Sequence, residues 1–153
     1  MIVRDSARTL RPCLESIRPW VDEMVVVDTG SRDNTREIAR EYGARVFDFP
    51  WCDDFSAARN ESIRHALGQW LFWMDADDSI DAENGHRLRQ LADGPHDDRV
   101  LAYVVKVRCP GSDQEGAPSF VEVDHVKLFR RHPDVRFEFR IHEQLLPAGQ
   151  NAE

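Results

Sequence analysis

Trp70-Leu71-Phe72-Trp73-Met74-Asp75-Ala76-Asp77-Asp78 is an apolar run that stops abruptly on three carboxylates. A short run of this kind, with turn-forming and charged residues on either side, reads as a strand buried on both faces. A second junction of the same type lies upstream, where Met24-Val25-Val26-Val27 breaks into Asp28-Thr29-Gly30-Ser31. If both runs are strands of one parallel sheet, Asp28 and Asp75 stand together beyond its carboxyl ends. Ligands bind there in open α/β sheets.

The segments around these runs support that arrangement. Met1-Ile2-Val3 reads as the last positions of a strand, so the chain is expected to be a fragment. Leu10, Leu14 and Ile17 recur at helical spacing, with Pro12 tolerable only in the first turn. Ser31 or Asp33 is the expected cap of a helix carrying Ile38, Ala39 and Tyr42, and Gly43 stands where a left-handed residue ends it. Residues 45–49 read as a third strand, 50–55 as a loop, and Ser56 as the cap of a helix through Leu67, closed by Gly68. Asp81 is the expected cap of a helix carrying Leu88 and Leu91. Alternating strands and helices predict a mainly parallel sheet with helices on both faces. Beyond residue 92 the pattern turns β-rich, at 100–107 and 120–129, around a Gly/Pro/Ser loop at 109–119. The end, 147–153, reads as loose.

Composition narrows the function classes. The chain has 153 residues, 41% hydrophobic and 31% charged, which fits one globular domain. A net charge of −8 and a pI near 5.2 would repel a phosphate backbone, so no nucleic-acid partner is expected. No apolar run approaches the roughly 20 residues of a membrane span, and no signal-peptide pattern opens the chain. A cytoplasmic protein without a transmembrane segment is the expectation. Cys13, Cys52 and Cys109 are odd in number and contain no C-x-x-C pair, which predicts reduced thiols and not a disulfide framework or a zinc site. Lys106 and Lys127 are the only lysines among 20 basic residues, which excludes a mechanism needing several.

The three carboxylates Asp75, Asp77 and Asp78 call for an explanation, because like charges held close are costly unless a cation neutralises them. A divalent ion is the economical candidate; solvated loop residues are the plain alternative. An EF-hand would need Gly and Glu where Ile80 and His86 stand, so it fails. Asp75 to Ser79 also matches the D-x-D-x-[ST] pattern of haloacid-dehalogenase-type phosphatases, but that family needs a downstream Lys and a second acidic pair that are hard to find after Ser79. A nucleotidyltransferase would want a Gly-rich phosphate loop near the first strand, and none is visible.

Four segments in order carry a stronger signal: Met1-Ile2-Val3-Arg4-Asp5; Val25-Val26-Val27-Asp28-Thr29-Gly30-Ser31-Arg32-Asp33; Asp53-Asp54-Phe55-Ser56-Ala57-Ala58-Arg59-Asn60; and Asp75-Ala76-Asp77-Asp78. Together they resemble glycosyltransferase family 2, inverting enzymes of GT-A fold, and in particular a bacterial subgroup. Lys127-Leu128-Phe129-Arg130-Arg131 and Ile141-His142-Glu143-Gln144-Leu145 extend the resemblance over nearly the whole chain.

The resemblance implies a single glycosyltransferase domain: a nucleotide-sugar-binding half (1–92), a β-rich half for acceptor and metal (93–146) and the end (147–153). It implies sugar transfer from a nucleotide-diphosphate donor, usually UDP-linked, to a saccharide, lipid or peptide acceptor, with inversion. Val3, Asp28, Arg59 and Asp75 would bind the nucleotide sugar, Asp28 at the uracil or its ribose, Arg59 at the base or diphosphate, and Asp75 at the ribose. Asp77 would ligate Mn²⁺ or Mg²⁺, which stabilises charge developing on the departing diphosphate. An inverting displacement also needs a base for the acceptor hydroxyl. Glu143 is the candidate, with His142 as a further metal ligand and Asp124 and Glu138 as rival bases. Trp70 and Trp73, inside the apolar run, are expected in the core, and Trp51 beside Asp53 and Asp54 is the better sugar contact. Members of the family continue well beyond the His-Glu segment, so a truncated, non-catalytic nucleotide-sugar-binding module is the alternative reading.

Overall fold

The computed structural model describes residues 1–97, 99–111 and 120–147. Strands β1 (Ile2–Val3), β2 (Val25–Asp28) and β3 (Arg45–Asp48) form a parallel sheet in the order β1-β2-β3. Val3 pairs with Asp28, and Asp28 with Asp48, so three carboxyl ends are level.

Helix α1 (Leu10–Ile17) buries Leu10, Cys13, Leu14 and Ile17, the stripe that helical periodicity requires, with Pro12 in its first turn. Helix α2 (Thr35–Glu41) buries Ile38 and Ala39, and these join Leu10, Leu14 and Val26 in one apolar cluster. Each Leu of this kind contributes about 2 kcal/mol by leaving water. Alternation along β2 turns Val27 to the opposite face, where helix α3 (Phe55–His65) packs on the sheet. Gly43 ends α2 at φ +83°, as its position predicts.

Two expected caps moved. Asn34, not Ser31 or Asp33, precedes α2, and it makes no side-chain cap bond. Asp33 instead accepts from the Thr35 amide at 3.0 Å, and the Ser31 hydroxyl accepts from the Asp5 amide at 2.9 Å. Helix α3 is capped by Asp54, which accepts from the Ala57 amide at 2.9 Å, and Ser56 spends its hydroxyl on Asp54. Asp81 does cap α4 (Ala82–Asp93), accepting from the Asn84 amide at 2.8 Å.

The apolar run around Trp70 departs from the expected pattern in its partner. Strand β4 (Trp70–Phe72) pairs antiparallel with β6 (Phe120–Arg130), Leu71 opposite Phe129, and β6 pairs in turn with β5 (Ala102–Pro110). An apolar run specifies burial but carries no information about which strand covers its edge. The last pair, β7 (Val135–Glu138) and β8 (Gln144–Pro147), is antiparallel and anchors Val135 and Phe137 against Phe129. Most of the loop expected at 109–119, and of the end at 147–153, lies outside the described residues. Among the described residues no helix is long and apolar enough to cross a membrane.

Candidate active site

A cleft of about 820 Å³ opens beyond the carboxyl ends of the parallel strands, lined among others by Val3, Trp51, Arg59, Asp75 and Asp77. It lies within the roughly 300 to 1,000 Å³ range of small-molecule sites. The chain leaves β4 through Trp73 and Met74 and turns sharply. The Asp78 amide donates to the Asp75 carbonyl at 3.1 Å, and the Asp75 amide donates to Oδ2 of Asp78 at 3.0 Å. Asp77 is therefore at the exposed tip of a closed turn.

The three carboxylates meet different fates. Nη2 of Arg59 holds Oδ1 of Asp75 at 2.8 Å, and Nζ of Lys127 holds Oδ2 of Asp78 at 2.6 Å. The Arg59 and Lys127 side chains are only 8% and 5% exposed while Asp75 and Asp78 are 43% and 26% exposed, so each pair joins a buried cation to a partly open carboxylate. Asp77 makes no hydrogen bond or ion pair to any described residue. Two protein cations thus neutralise two of the three charges, so the crowding at this turn is met in part from within the chain. No group of three or more His, Cys, Asp or Glu converges on a metal position among the described residues.

Arg59 stands at the centre. Besides Asp75, its Nε donates to Oε1 of Glu143 at 2.6 Å, and its Nη1 is buried with no hydrogen-bond partner among the described residues. Glu143 reaches it from the β7–β8 connection, which is latched to α3. Nδ2 of Asn60 donates to the Phe137 carbonyl at 2.9 Å, and the Phe137 amide donates back to Oδ1 of Asn60 at 2.9 Å. The Phe55 amide adds a bond to the Arg140 carbonyl at 3.0 Å. The connection twists to fit, with Phe139 at φ +74° and His142 at φ +53°. A bulky Phe in that region is strained.

Asp28 lies deeper. Its Oδ1 accepts from the amides of Gly30 and Ser31 at 3.0 and 2.9 Å and from Nε of Arg36 at 2.9 Å, the Asx-turn geometry that Gly30 permits. Burial raises its pKa, but the Ser31 and Gly30 hydrogen bonds and the Arg36 charge outweigh that and hold the carboxyl below the usual range. Its Oδ2 is buried with no hydrogen-bond partner among the described residues. Val3 is spent structurally, its carbonyl accepting from both the Thr29 amide at 2.9 Å and the Thr29 hydroxyl at 3.1 Å.

The structure thus gathers Val3, Arg59, Asp75 and Asp77 on one cleft and ties Glu143 to it through Arg59. Asp28 sits behind that wall, and His142 is exposed and absent from the cleft lining. The rival bases point elsewhere: Asp124 pairs with Lys106 on the β5–β6 hairpin, and Glu138 with Arg136 of its own strand. Trp51 does line the cleft, its Nε1 donating to Asp53 at 2.8 Å. Sequence reasoning missed the pairing of Lys127 with Asp78; the available signal was its place between Val126 and Leu128-Phe129, because a lysine buried among apolar neighbours needs an acid.

Comparison with known proteins places this geometry. The model of the family described as Glycosyl transferase family 2 matches residues 1–142. A TPR repeat-containing protein of Synechococcus elongatus is 43% identical over 143 residues, which cover 94% of this chain and 34% of that protein. The SPbeta prophage-derived glycosyltransferase SunS of Bacillus subtilis is 29% identical over 153 residues, covering 94% and 33%. Among solved structures, S. aureus TarS 1-349 superposes with a TM-score of 0.57 at 18% identity, over 85% of this chain and 45% of that one, which shows a shared fold. The chain spans about a third of the length of the curated relatives it matches.

Proposed function

Since the chain belongs to glycosyltransferase family 2, we propose that its cleft binds a nucleoside-diphosphate sugar, UDP-linked in the first instance, and passes the sugar with inversion to an acceptor hydroxyl. One observation carries this reading. In a turn bearing three carboxylates, Asp75 and Asp78 are neutralised internally while Asp77 lines the cleft with no partner among the described residues.

That arrangement suits a divalent cation. Mg²⁺, and Mn²⁺ with the same hard oxygen preference, is commonly held by one or two carboxylates plus substrate phosphates and water, so a single free carboxylate facing a diphosphate is a sufficient protein contribution. Asp77 would hold the ion; His142 is the further ligand if the 139–143 connection turns inward. When bound, the cation supplies charge stabilisation to the departing diphosphate.

The chain's own groups divide the remaining work. Arg59 lines the cleft and, already holding Asp75 and Glu143, would set a fixed positive charge against the diphosphate. Asp75, fixed by Arg59 and partly open to the cleft, accepts from ribose hydroxyls. Asp28, held ionised and with Oδ2 unused, shapes the floor under Thr29 and Gly30 from which the base is read. Glu143 takes the proton of the acceptor hydroxyl, oriented by Arg59.

A second reading draws on Glu143 itself. Oε1 is already engaged by Arg59 and the side chain is 14% exposed, as expected of a residue that only positions the arginine. The chain would then be a donor-binding module. Glu143→Gln separates the two, because it keeps the hydrogen bond and removes the proton acceptor.

Calorimetric titration of UDP with Mn²⁺, with EDTA, and on Asp77→Ala tests the main reading. Metal-dependent binding lost in the variant is the expected outcome. Equal binding with EDTA, or by the variant, would reject the assignment of Asp77.

A further inference from the structure

Both cations that restrain the 75–78 turn converge on one indole. Cζ of Arg59 lies 4.3 Å, and Nζ of Lys127 4.0 Å, from the centroid of the Trp73 ring. The residue is fixed twice to β6: its backbone amide donates to the Lys127 carbonyl at 3.0 Å, and the ring's Nε1 donates to the Val126 carbonyl at 2.7 Å. Phe137 closes on it edge-to-face at 5.7 Å. With its backbone paired, its ring held by one hydrogen bond and an aromatic neighbour against it, the indole has little freedom to follow its cations, so the cations follow the ring.

We propose that Trp73 is a positioning residue of the donor site: through its π face it sets Arg59 and Lys127, and through them the Asp75–Asp78 turn that aims Asp77 into the cleft. The function of that turn rests on the donor reading above; the restraint itself does not.

The physical case has three parts. Each cation is largely removed from water, and a desolvated cation over Trp is held more strongly than an exposed one. Each then spends its N–H groups on opposite ends of the same turn, Asp75 and Asp78, leaving only the tip between them without a protein anchor. Finally, Trp73 is two residues before Asp75, so the strand end, the platform and the turn form one rigid stretch of chain.

Amide hydrogen exchange, followed by UDP titration with Mn²⁺, on the wild type, Trp73→Phe and Trp73→Leu tests this. Leu fills part of the space without a π face; Phe keeps a π face and loses the Nε1 donor together with the second ring. In Trp73→Leu the Asp75 and Asp78 amides should exchange about tenfold faster or more, with Val26 and Val27 in the parallel sheet unchanged, whereas Trp73→Phe should stay within about threefold of wild type. UDP affinity should fall in parallel in Trp73→Leu and recover in Trp73→Phe. Wild-type exchange at both amides in Trp73→Leu would overturn the proposal. Equal loss in both variants would do so as well, because it would assign the restraint to the Nε1 bond. If the wild type itself fails to bind UDP while the exchange pattern holds, the donor reading falls and the platform stands.

Discussion

Nε of Arg59 and Oε1 of Glu143 lie 2.6 Å apart across 84 positions of sequence, and the same guanidinium holds Asp75 from its other edge. The pair joins the α/β half to the β7–β8 connection at the wall of the cleft. Both side chains are largely withdrawn from water, so the pairing is neither screened nor optional.

Arg59→Met is therefore expected to cost about 3 kcal/mol, the usual penalty for leaving partners of a buried ion pair uncompensated. Arg59→Lys should restore only part of it, because an ammonium cannot fork between two carboxylates. Urea unfolding measures both. A loss below about 0.5 kcal/mol for the methionine variant would show that water replaces the guanidinium.

Asp28 gives a pH-dependent prediction. Its folded-state pKa is depressed, so its contribution is complete above the unfolded-state value of about 3.9 and is lost as pH falls through the folded value. Asp28→Asn should be less stable than wild type at neutral pH, with the gap closing in acid. Thermal melts from neutral pH down to about pH 3 test this, and a constant gap would contradict the assignment.

Gly85 and Trp20 set two opposing effects against each other. Alanine gains about 1 kcal/mol of helix propensity over glycine. A Cβ at Gly85, however, would meet the Trp20 indole nitrogen at 2.2 Å, inside any real contact. Overpacking of this kind costs about 1 to 3 kcal/mol, so Gly85→Ala should destabilise on balance. A raised melting temperature would mean that the indole swings away freely.

The thiols should differ sharply in reactivity. Burial pushes the Cys13 pKa up to about 12, and its Sγ donates to the Asp75 carbonyl at 3.4 Å, so it stays a buried, protonated thiol. Cys52 is exposed. Iodoacetamide labelling of the native protein, read by mass spectrometry, should modify Cys52 first and Cys13 only after unfolding. Early labelling of Cys13 would mean that α1 opens readily.

Several of these features were legible without coordinates. The stripe on α1, the cap at Asp81, the left-handed Gly43 and the placing of Asp28 and Asp75 at strand ends all follow from periodicity and turn chemistry. These signals are local: residues within a few positions decide them, whatever the rest of the chain does. The shifted cap at Asp54 shows the limit even there, because two adjacent good caps compete and geometry selects one.

What only the tertiary structure decided is which distant groups meet. The sequence offered an aspartate turn, an arginine in a helix, one lysine in a strand and a His-Glu pair, with nothing in their spacing to couple them. Folding brings Arg59 between Asp75 and Glu143, sets Lys127 on Asp78 and places Trp73 beneath both cations. Charge neutralisation in a dry site depends on separations of a few ångströms between residues up to 84 positions apart. A pattern of types along a chain contains no such distances, so Asp77 could be named as a carboxylate in the sequence, but its standing as the one in its turn with no partner among the described residues emerged only on folding.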